Sequence, residues 1–393
     1  MGRTVMHMDM DTFFVSVERL KNAALIGKPV LIGGGSDRGV VASCSYEARA
    51  FGVHSAMPMR LARRLCPQAI IISGDYEDYS KFSGMVTEII EEKAPVYEKS
   101  SIDEFYLDLT GMDKFFGCYQ WAQELRETII KETGLPISFA VSVNKLVSKI
   151  GTGLAKPNGH KDVPAGTEKP FIAPLPVQKI PMVGEKTLRQ LVSMGVRTIS
   201  TLREMPLRLL EREFGKNGIS LWEKANALDE TPVIPYREQK SLSKERTFHT
   251  DTTDMYFLKT QLTSMVEELA FELRQIPKLT SCVTVKIRYS DFNTETMQHK
   301  IGYTASDEVL LKIAHDLFDK LYSKRMLLRL IGVRFSGLVH GHPQIHLFHS
   351  VPEMVSLCQA MDHIRNKHGT QAVYRCSGMG GERRIKTISF NGK

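Results

Sequence analysis

Three acidic side chains stand where they could bind metal ions. Residues 3–9 alternate as a short strand does, and the predicted strand ends at Asp9. Asp103 and Glu104 are adjacent at a tight corner between two strands predicted within residues 96–110. If these strands are neighbours in one sheet, three carboxylates meet at its rim, where their repulsion is costly without cations. Carboxylates of this kind hold the Mg²⁺ ions of enzymes that transfer phosphoryl groups.

The same residue types also allow a structural interpretation. Asp9 and Asp11 could cap the helix predicted from residue 13, and Asp103 could simply make a turn. For the Asp-x-Asp spacing alone this structural interpretation is the more common one, so the wider sequence must decide.

The elements that must position these side chains follow from the periodicity of apolar residues. In the first half, helices are predicted at residues 13–20, 58–65, 76–93, 119–133 and 144–155. Strands are predicted at residues 29–35 and 69–73 (of buried type), within 96–110, at 137–143, and within 39–53, where the strand leads into a helical turn. Residues 163–181 are proline-rich and predicted as loop, residues 182–228 hold short helical runs, and residues 229–244 suit a linker.

The second half predicts another α/β unit. A strand at 242–248, a helix at 254–275, strands near 279–290 and 296–303, a helix at 306–323 and a strand at 327–338 give the order β-α-β-β-α-β. That order fits a small sheet with helices on one face. The segment after residue 340 contains one further predicted helix, at residues 352–367.

The charges are unevenly distributed along the 393 residues, a length that predicts two to four domains. Residues 1–20 and 75–168 together hold 12 Lys/Arg and 19 Asp/Glu, a net of −7, whereas the rest holds 40 and 25, a net of +15. An acidic centre in a basic chain is typical of a metal-dependent enzyme that acts on nucleic acid. Chance segregation of solvated charge is the alternative.

Several classes of protein are disfavoured by the composition. The six cysteines lack Cys-x-x-Cys spacing, which argues against a structural zinc site and against a secreted disulfide framework. No apolar run is long enough to cross a bilayer, and the N-terminus does not resemble a secretory signal. We therefore expect a cytoplasmic protein that does not bind membranes.

Four segments occur in a recognisable order: HMDMDTFFVSVE (7–18), SYEARAFGV (45–53), SIDEFYLDLT (101–110) and SVNKLVSKIGTGLAKPNG (142–159). Together they resemble the Y-family (translesion) DNA polymerases, particularly the bacterial polymerase IV class. The resemblance extends from about residue 4 to about residue 348. It implies an α+β multidomain fold with a ferredoxin-like palm, small fingers, a helical thumb and a separate α/β little finger. The implied boundaries are 1–10 with 75–168 for the palm, 11–74 for the fingers, 169–239 for the thumb, 240–340 for the little finger and 341–393 for a tail.

The resemblance also implies the roles of the acidic residues. The positions that match the family's metal ligands are Asp9, Asp103, Glu104 and the backbone carbonyl of Met10. Asp9, Asp103 and Glu104 are the implied catalytic residues, with two Mg²⁺ ions in the active site.

The nucleotide-binding residues are implied in the same way: Phe13, Phe14, Ser43, Tyr46, Arg49 and Lys156. Tyr46, Arg49 and Lys156 would contact the triphosphate, because hydroxyl, guanidinium and ammonium groups donate to phosphate oxygens. Phe14 matches the steric gate, a ring that leaves no room for a ribose 2′-hydroxyl. A core role for Phe14 beside Phe13 is the alternative.

Two further segments resemble parts of the family that bind macromolecules. Residues 180–196 look like the helix-hairpin-helix of the thumb, in which Gly184 and Lys186 would contact a DNA phosphate. Met182 stands there in place of the usual glycine. QIHLF (344–348) resembles a sliding-clamp-binding peptide, in which Gln344, Leu347 and Phe348 would make the contact; a strand end is the alternative.

The implied function is low-fidelity, template-directed synthesis of DNA across lesions. The expected partners are primer-template DNA, a deoxynucleoside triphosphate (dNTP) and a sliding clamp, with the protein itself a monomer. Two alternatives stay open: a non-catalytic accessory factor that binds DNA or the clamp, and a nucleotidyl cyclase, because similar palm-like sheets use two metals on triphosphates.

Overall fold

The chain folds into two compact units in a computed structural model. The first unit ends at Arg237 and the second begins at Glu238. The structure describes residues 2–112, 117–341, 351–370 and 372–379, with the backbone alone for residues 351–354.

The elements of the first unit correspond closely to those predicted. Its strands are β1 (Val5–Met10), β2 (Val30–Gly33), β3 (Val41–Cys44), β4 (Ile70–Ile72), β5 (Tyr97–Lys99), β6 (Glu104–Asp108), β7 (Ile137–Ser142) and β8 (His160–Asp162). Its helices are α1 (Phe13–Lys21), α2 (Tyr46–Arg49), α3 (Met59–Leu65), α4 (Tyr76–Lys93), α5 (Cys118–Thr133), α6 (Lys145–Ala155), α7 (Glu168–Ile172), α8 (Glu185–Ser193), α9 (Ile199–Glu204), α10 (Leu207–Phe214) and α11 (Lys216–Ala225).

The central sheet of this unit has ferredoxin-like topology, in the order β5-β6-β1-β7-β8. β1 lies in the middle and pairs antiparallel with both β6 and β7. Helices α4 and α5 contribute to the main core on one face, and α6 packs against β1 and β7. The predicted fold class, α+β with a ferredoxin-like palm, is confirmed.

Side chains of β1 point alternately to the two faces of the sheet, so one set lies in the main core and the other lies on the face that carries Asp9. Met6, Met8 and Met10 are at most 2% exposed and belong to the main core. Each such burial contributes about 1.5–3 kcal/mol. Because successive side chains of a strand point to opposite faces, Asp9 lies on the other face, which α6 covers in part.

A smaller three-stranded sheet, in the order β3-β2-β4, lies within residues 30–72. β2 pairs antiparallel with β3 and parallel with β4. The segment AIIIS was predicted as a buried strand, but β4 is only half-buried, because it forms one edge of this sheet.

Two features between α6 and α8 were missed. The prediction of loop for residues 163–181 is wrong in part, since α7 and a 3-10 turn at Val177–Lys179 lie within it. Pro170 is tolerated in α7 because the N–H groups of a first helical turn have no partner within the helix. The short strand β8, which pairs parallel with β7, was also not predicted.

The linker predicted at 229–244 is extended but anchored to the first unit. Glu98, only 6% exposed, accepts hydrogen bonds from Lys145 Nζ at 2.6 Å, from the backbone N–H of Ile234 at 2.8 Å and from Arg237 at 3.0 Å. The linker also ends earlier than predicted, because a strand already begins at Ser241.

The second unit has the predicted β-α-β-β-α-β order. Its elements are β9 (Ser241–Thr252), α12 (Met255–Gln275), β10 (Lys278–Tyr289), β11 (Thr294–Thr304), α13 (Asp307–Leu321), β12 (Leu328–Ser336), β13 (Val339–His340) and α14 (Val351–His368). The four long strands form one sheet in the order β11-β10-β12-β9. Helices α12 and α13 pack with this sheet in the hydrophobic core of the second unit. Among the residues that the structure describes, no helix is both long and apolar enough to span a membrane.

Two glycines of α6 give a matched test of how closely this helix approaches the sheet. A Cβ on Gly151 would lie 2.7 Å from the Cβ of Ala140 on β7, whereas a Cβ on Gly153 would meet nothing within 4 Å. We predict that Gly151→Ala lowers the free energy of unfolding by about 1–3 kcal/mol through overpacking. Gly153→Ala should raise it by up to about 1 kcal/mol, because alanine favours helix.

Urea unfolding of the two variants measures both effects. Shifts of the same sign in both would contradict the close packing of α6 on β7.

Candidate catalytic site

The pairing of β1 with β6 brings the predicted carboxylates together. Asp9 is the register partner of Glu104, and the backbone N–H of Met10 donates to the carbonyl of Asp103 at 3.0 Å. Side chains of directly opposed residues project from the same face with Cβ atoms about 4.5–5.5 Å apart. The side chain of Met10 is buried in the core, so only its backbone is available to the rim.

Ser101 shapes the corner that carries Asp103 and Glu104. Its hydroxyl oxygen accepts from the backbone N–H of Glu104 at 3.1 Å and donates to Oδ1 of Asp103 at 2.6 Å. The backbone N–H of Ser100 closes the corner by donating to the carbonyl of Glu104 at 2.9 Å. Side-chain bonds of this kind favour turns over continued strand, which explains the sharp reversal here.

Two lysines from the α6 region neutralise the carboxylates. Lys156 forms an ion pair with Asp9, and Lys149 Nζ lies 2.6 Å from Oε2 of Glu104. The sequence predicted a phosphate-binding role for Lys156 but assigned no role to Lys149. The only signal for Lys149 was its position in SVNKLVSKI, on the helix that leads to Lys156.

The donor set suits a hard divalent cation, which prefers carboxylate and carbonyl oxygens. Within the described ranges, however, no three His, Cys, Asp or Glu side chains are gathered closely enough to hold one metal ion. The contacts above explain this, because Asp9 and Glu104 are paired with lysines and Asp103 with a serine. Metal binding therefore requires these carboxylates to exchange their present partners for the cation.

The electrostatics of Asp9 reflect its crowded position. Burial raises the pKa of Asp9 to about 7, although the nearby charge of Lys156 acts in the opposite direction. Repulsion from Asp103 and Glu104 adds to the upward shift, so the three acidic groups interact across the rim. A carboxylate with a raised pKa of this kind is typical of a functional site.

Asp11 does not cap the following helix. The N-cap of α1 is Thr12, with no side-chain capping bond, so the structural interpretation of Asp11 is wrong. The side chain of Asp11 is 1% exposed and accepts hydrogen bonds from other segments, among them the Tyr46 hydroxyl at 3.1 Å. In the sequence, the Asp-x-Asp spacing was the only sign that Asp11 accepts hydrogen bonds from distant segments.

The predicted triphosphate contacts lie at and near α2. Ser45 caps this helix by accepting from the backbone N–H of Ala48 at 3.3 Å. The exposed guanidinium of Arg49 lies 5.0 Å from the centre of the half-buried Tyr46 ring. Ser43, on the preceding strand, is 8% exposed.

Phe13 and Phe14 have different environments. The ring of Phe13 is 2% exposed and belongs to the main core, so it could affect a nucleotide only through packing. Phe14 is half-buried, and its ring stacks on Tyr79 with the centroids 4.3 Å apart and the planes at 14°. The hydroxyl of Tyr79 donates to Glu18 at 2.8 Å, which fixes this platform.

The predicted DNA-binding hairpin keeps an unusual backbone. Gly184 and Lys186 are exposed at the start of α8. Met182 has a φ of 75°, a conformation that favours glycine, and its side chain is 91% exposed. The predicted clamp-binding residues, Gln344, Leu347 and Phe348, lie outside the described residues.

Comparison with known proteins places the chain in a family. The profile of the impB/mucB/samB family matches residues 8–153, the profile of its C-terminal domain matches residues 239–347, and a thumb-domain profile described for DNA polymerase-iota matches residues 178–229. A DNA polymerase IV of Dehalococcoides mccartyi is 38% identical over 378 residues, covering 94% of this chain and 96% of the relative. A DNA polymerase IV of Alkalilimnicola ehrlichii is 38% identical over 345 residues, covering 87% and 97%.

Solved structures agree with these relatives. A chimera of Y-family DNA polymerases matches with a TM-score of 0.76 at 25% identity, over 86% of this chain and all of its own. The chain belongs to the Y family of DNA polymerases. A second member, Dbh DNA polymerase in an insertion ternary complex, matches with a TM-score of 0.63 at 25% identity, over 86% of this chain and all of its own.

The predicted family, fold and enzyme class are thereby confirmed. The chain is a DNA-directed DNA polymerase of the translesion class, and polymerases of this family use divalent metal ions.

The raised pKa of Asp9 makes the response to Mg²⁺ depend on pH. An aspartate in an unfolded chain titrates at about 3.9, whereas in the fold Asp9 keeps its proton up to about pH 7. Its contribution to stability is therefore full below the unfolded pKa and is lost as the pH rises through the folded one. Because a cation needs the charged carboxylate, we predict that Mg²⁺ raises the melting temperature more at pH 8 than at pH 6.

Two variants control this prediction, with melting followed by circular dichroism. Asp9→Asn removes the titrating group and should reduce the difference between the two pH values. Lys156→Met should shift the response to higher pH, because Lys156 lowers the pKa of Asp9. An equal effect of Mg²⁺ at both pH values in the unaltered protein would contradict the assignment.

Proposed function

We propose that the chain adds deoxynucleotides to a primer 3′-hydroxyl on a DNA template, with two Mg²⁺ ions held at the rim of the central sheet. The observation that carries the proposal is the register of Asp9 with Glu104, with the carbonyl of Asp103 bonded to Met10 beside them. Asp9 and Glu104 project from one face of the sheet, and Asp103 lies near enough to raise the pKa of Asp9. Carboxylates from separate strands that approach each other in this way are typical ligands of a pair of divalent cations.

The protein's part in this chemistry is to hold ligands and reactants. Asp9, Asp103, Glu104 and the backbone carbonyl of Met10 would hold the ions. When bound, Mg²⁺ supplies charge to the phosphates and lowers the pKa of the attacking hydroxyl. Lys149 and Lys156 keep the carboxylates compensated before that, which limits the repulsion among them in the folded chain.

The triphosphate contacts are proposed on the side chains around α2 and the end of α6. Arg49 is exposed and carries planar donors that match phosphate oxygens. Lys156 would exchange its partner Asp9 for a phosphate, because a bound triphosphate offers it another anion. Tyr46 adds a hydroxyl, and Ser43 lies on the strand that leads into this helix.

Phe14 is proposed as the steric gate. Its stacking on Tyr79 fixes the plane of the ring, and fixed bulk is what excludes a 2′-hydroxyl. Phe13 supports the gate from the core, with the two ring centroids 5.5 Å apart.

DNA binding is proposed at the thumb hairpin, through the exposed backbone of Gly184 and the side chain of Lys186. The positive φ of Met182 supports this, because the backbone keeps a glycine-like conformation despite the substitution. The partners that we propose are primer-template DNA, a dNTP and, through Gln344, Leu347 and Phe348, a sliding clamp. We also propose that the protein is a cytoplasmic monomer.

The domain assignments are proposed with the boundaries given above: palm, fingers, thumb, little finger and tail. The division at Arg237 is compatible with the proposed boundary between thumb and little finger. The acidic rim would lie in the palm and Arg49 in the fingers.

Primer extension with Mg²⁺ tests the proposed chemistry. We predict that the unaltered protein extends the primer and that Glu104→Gln slows extension by at least about 1,000-fold, equivalent to about 4 kcal/mol of lost transition-state stabilisation. Asp108→Asn, at the far end of β6, is the matched control and should extend normally. Binding of DNA without extension, or release of a cyclic nucleotide, would refute the proposal.

Phe14→Ala tests the steric gate. Removing the ring opens space beneath the sugar, so the preference for dNTPs over ribonucleotides should fall by at least about 100-fold in kcat/KM. Phe292→Ala, which removes a 63% exposed ring from the second unit, is the control and should leave the preference unchanged. Unchanged sugar discrimination in Phe14→Ala would exclude Phe14 as the gate.

A further inference from the structure

Asp11 is a buried carboxylate to which the proposed mechanism assigns no role. The Tyr46 hydroxyl donates to its Oδ1 at 3.1 Å, while the Ser138 hydroxyl and the backbone N–H of Asn158 donate to its Oδ2 at 2.8 and 2.5 Å. These donors are 35, 127 and 147 residues away in the sequence. One side chain therefore joins the fingers helix α2, strand β7 and the loop after α6.

The hydrogen bonds explain how a charged group is accommodated at this depth. A carboxylate removed from water is costly unless its oxygens accept hydrogen bonds or face a cation. Both oxygens of Asp11 accept such bonds, and Lys156 Nζ lies 3.9 Å from Oδ1. The same oxygen thus faces two proposed phosphate contacts, Tyr46 and Lys156. Burial raises the pKa of Tyr46, so its hydroxyl keeps the proton that it donates.

The backbone of the loop after α6 is held through the same group. Ser138, which donates to Asp11, also accepts from the backbone N–H of Gly159 at 3.2 Å. Arg126 holds the loop from elsewhere by donating to the carbonyl and Oδ1 of Asn158 at 2.9 and 2.6 Å. Loss of Asp11 would remove the bond that it accepts from Asn158 and leave the bonds that Ser138 and Arg126 make with the loop.

We propose that Asp11 is a positioning residue that sets Tyr46 and Lys156 for the triphosphate and does not itself bind a metal ion. The inference rests on the function proposed above, because it takes these two side chains as phosphate contacts. Both oxygens of Asp11 accept hydrogen bonds from protein donors, whereas the contacts described above engage one oxygen each of Asp9, Asp103 and Glu104. Its loss should therefore weaken nucleotide binding and leave the requirement for Mg²⁺ unchanged.

The test compares the full-length Asp11→Asn variant with the unaltered protein in single-nucleotide primer extension. The amide preserves size, but its nitrogen cannot accept the two hydrogen bonds that Oδ2 receives. We expect KM for the dNTP to rise about tenfold, because hydrogen bonds to a charged group are lost. The kcat of Asp11→Asn should stay within about threefold of that of the unaltered protein, and the half-saturating Mg²⁺ concentration should not change.

Two further variants separate positioning from a general structural effect. Tyr46→Phe removes the hydroxyl alone. If Asp11 acts through Tyr46, the fold-increase in KM of the Asp11→Asn, Tyr46→Phe double variant should be well below the product of the fold-increases of the two single variants. Asp108→Asn makes the same chemical change elsewhere on the sheet and should leave KM unaltered. Melting temperatures identify any variant that is partly unfolded.

Several outcomes would overturn the proposal. A fall in kcat with a raised Mg²⁺ requirement would identify Asp11 as a metal ligand. If the fold-increases in KM of Asp11→Asn and Tyr46→Phe multiply fully in the double variant, or if Asp11→Asn leaves KM unchanged, Asp11 does not act through Tyr46. Failure of the unaltered protein to extend a primer would instead sink the proposed function. Equilibrium binding of inorganic triphosphate tests the positioning role apart from extension, and equal affinity of the unaltered protein and Asp11→Asn would contradict it.

Discussion

The antiparallel pairing of β1 with β6 is the constraint on which the site depends. Because the register sets Asp9 opposite Glu104, residues almost a hundred positions apart project from one face of one sheet. A slip of one residue would turn Asp9 into the core and a methionine toward the site. The buried methionines of β1 oppose that slip, so the packing that stabilises the fold also places the acidic rim.

Concentrating negative charge at this rim destabilises the fold, and α6 supplies compensation. Lys149 and Lys156 pair with two of the carboxylates, and the close approach at Gly151 brings their helix onto the sheet. Asp11 links this region to α2, because it accepts a hydrogen bond from Tyr46 and lies 3.9 Å from Lys156. A divalent cation and a triphosphate would bind together, because the cation would replace the lysines as partner of the carboxylates and the phosphates would become the new partners of the basic groups.

Local sequence patterns predicted most of the fold. Alternation in residues 3–9 and the apolar residues at 105, 107 and 109 were sufficient to place β1 and the corner before β6, because both patterns are local in the sequence. The α7 helix was missed because Pro170 suggested a loop, and β8 was missed because three residues carry no periodicity. The partners of Asp11 and Glu104 could not be predicted, since Ser138, Asn158 and Lys149 reach them only through tertiary packing.

Cleavage of the backbone by metal-bound iron would test the central claim most directly. Fe²⁺ that replaces Mg²⁺ in the presence of ascorbate and peroxide generates radicals that cut the chain beside the bound ion. The shared rim predicts two groups of cuts, near residues 9–11 and near residues 101–104, both suppressed by excess Mg²⁺. Cuts confined to one of these segments, or cuts elsewhere that Mg²⁺ suppresses equally, would contradict a metal site formed jointly by β1 and β6.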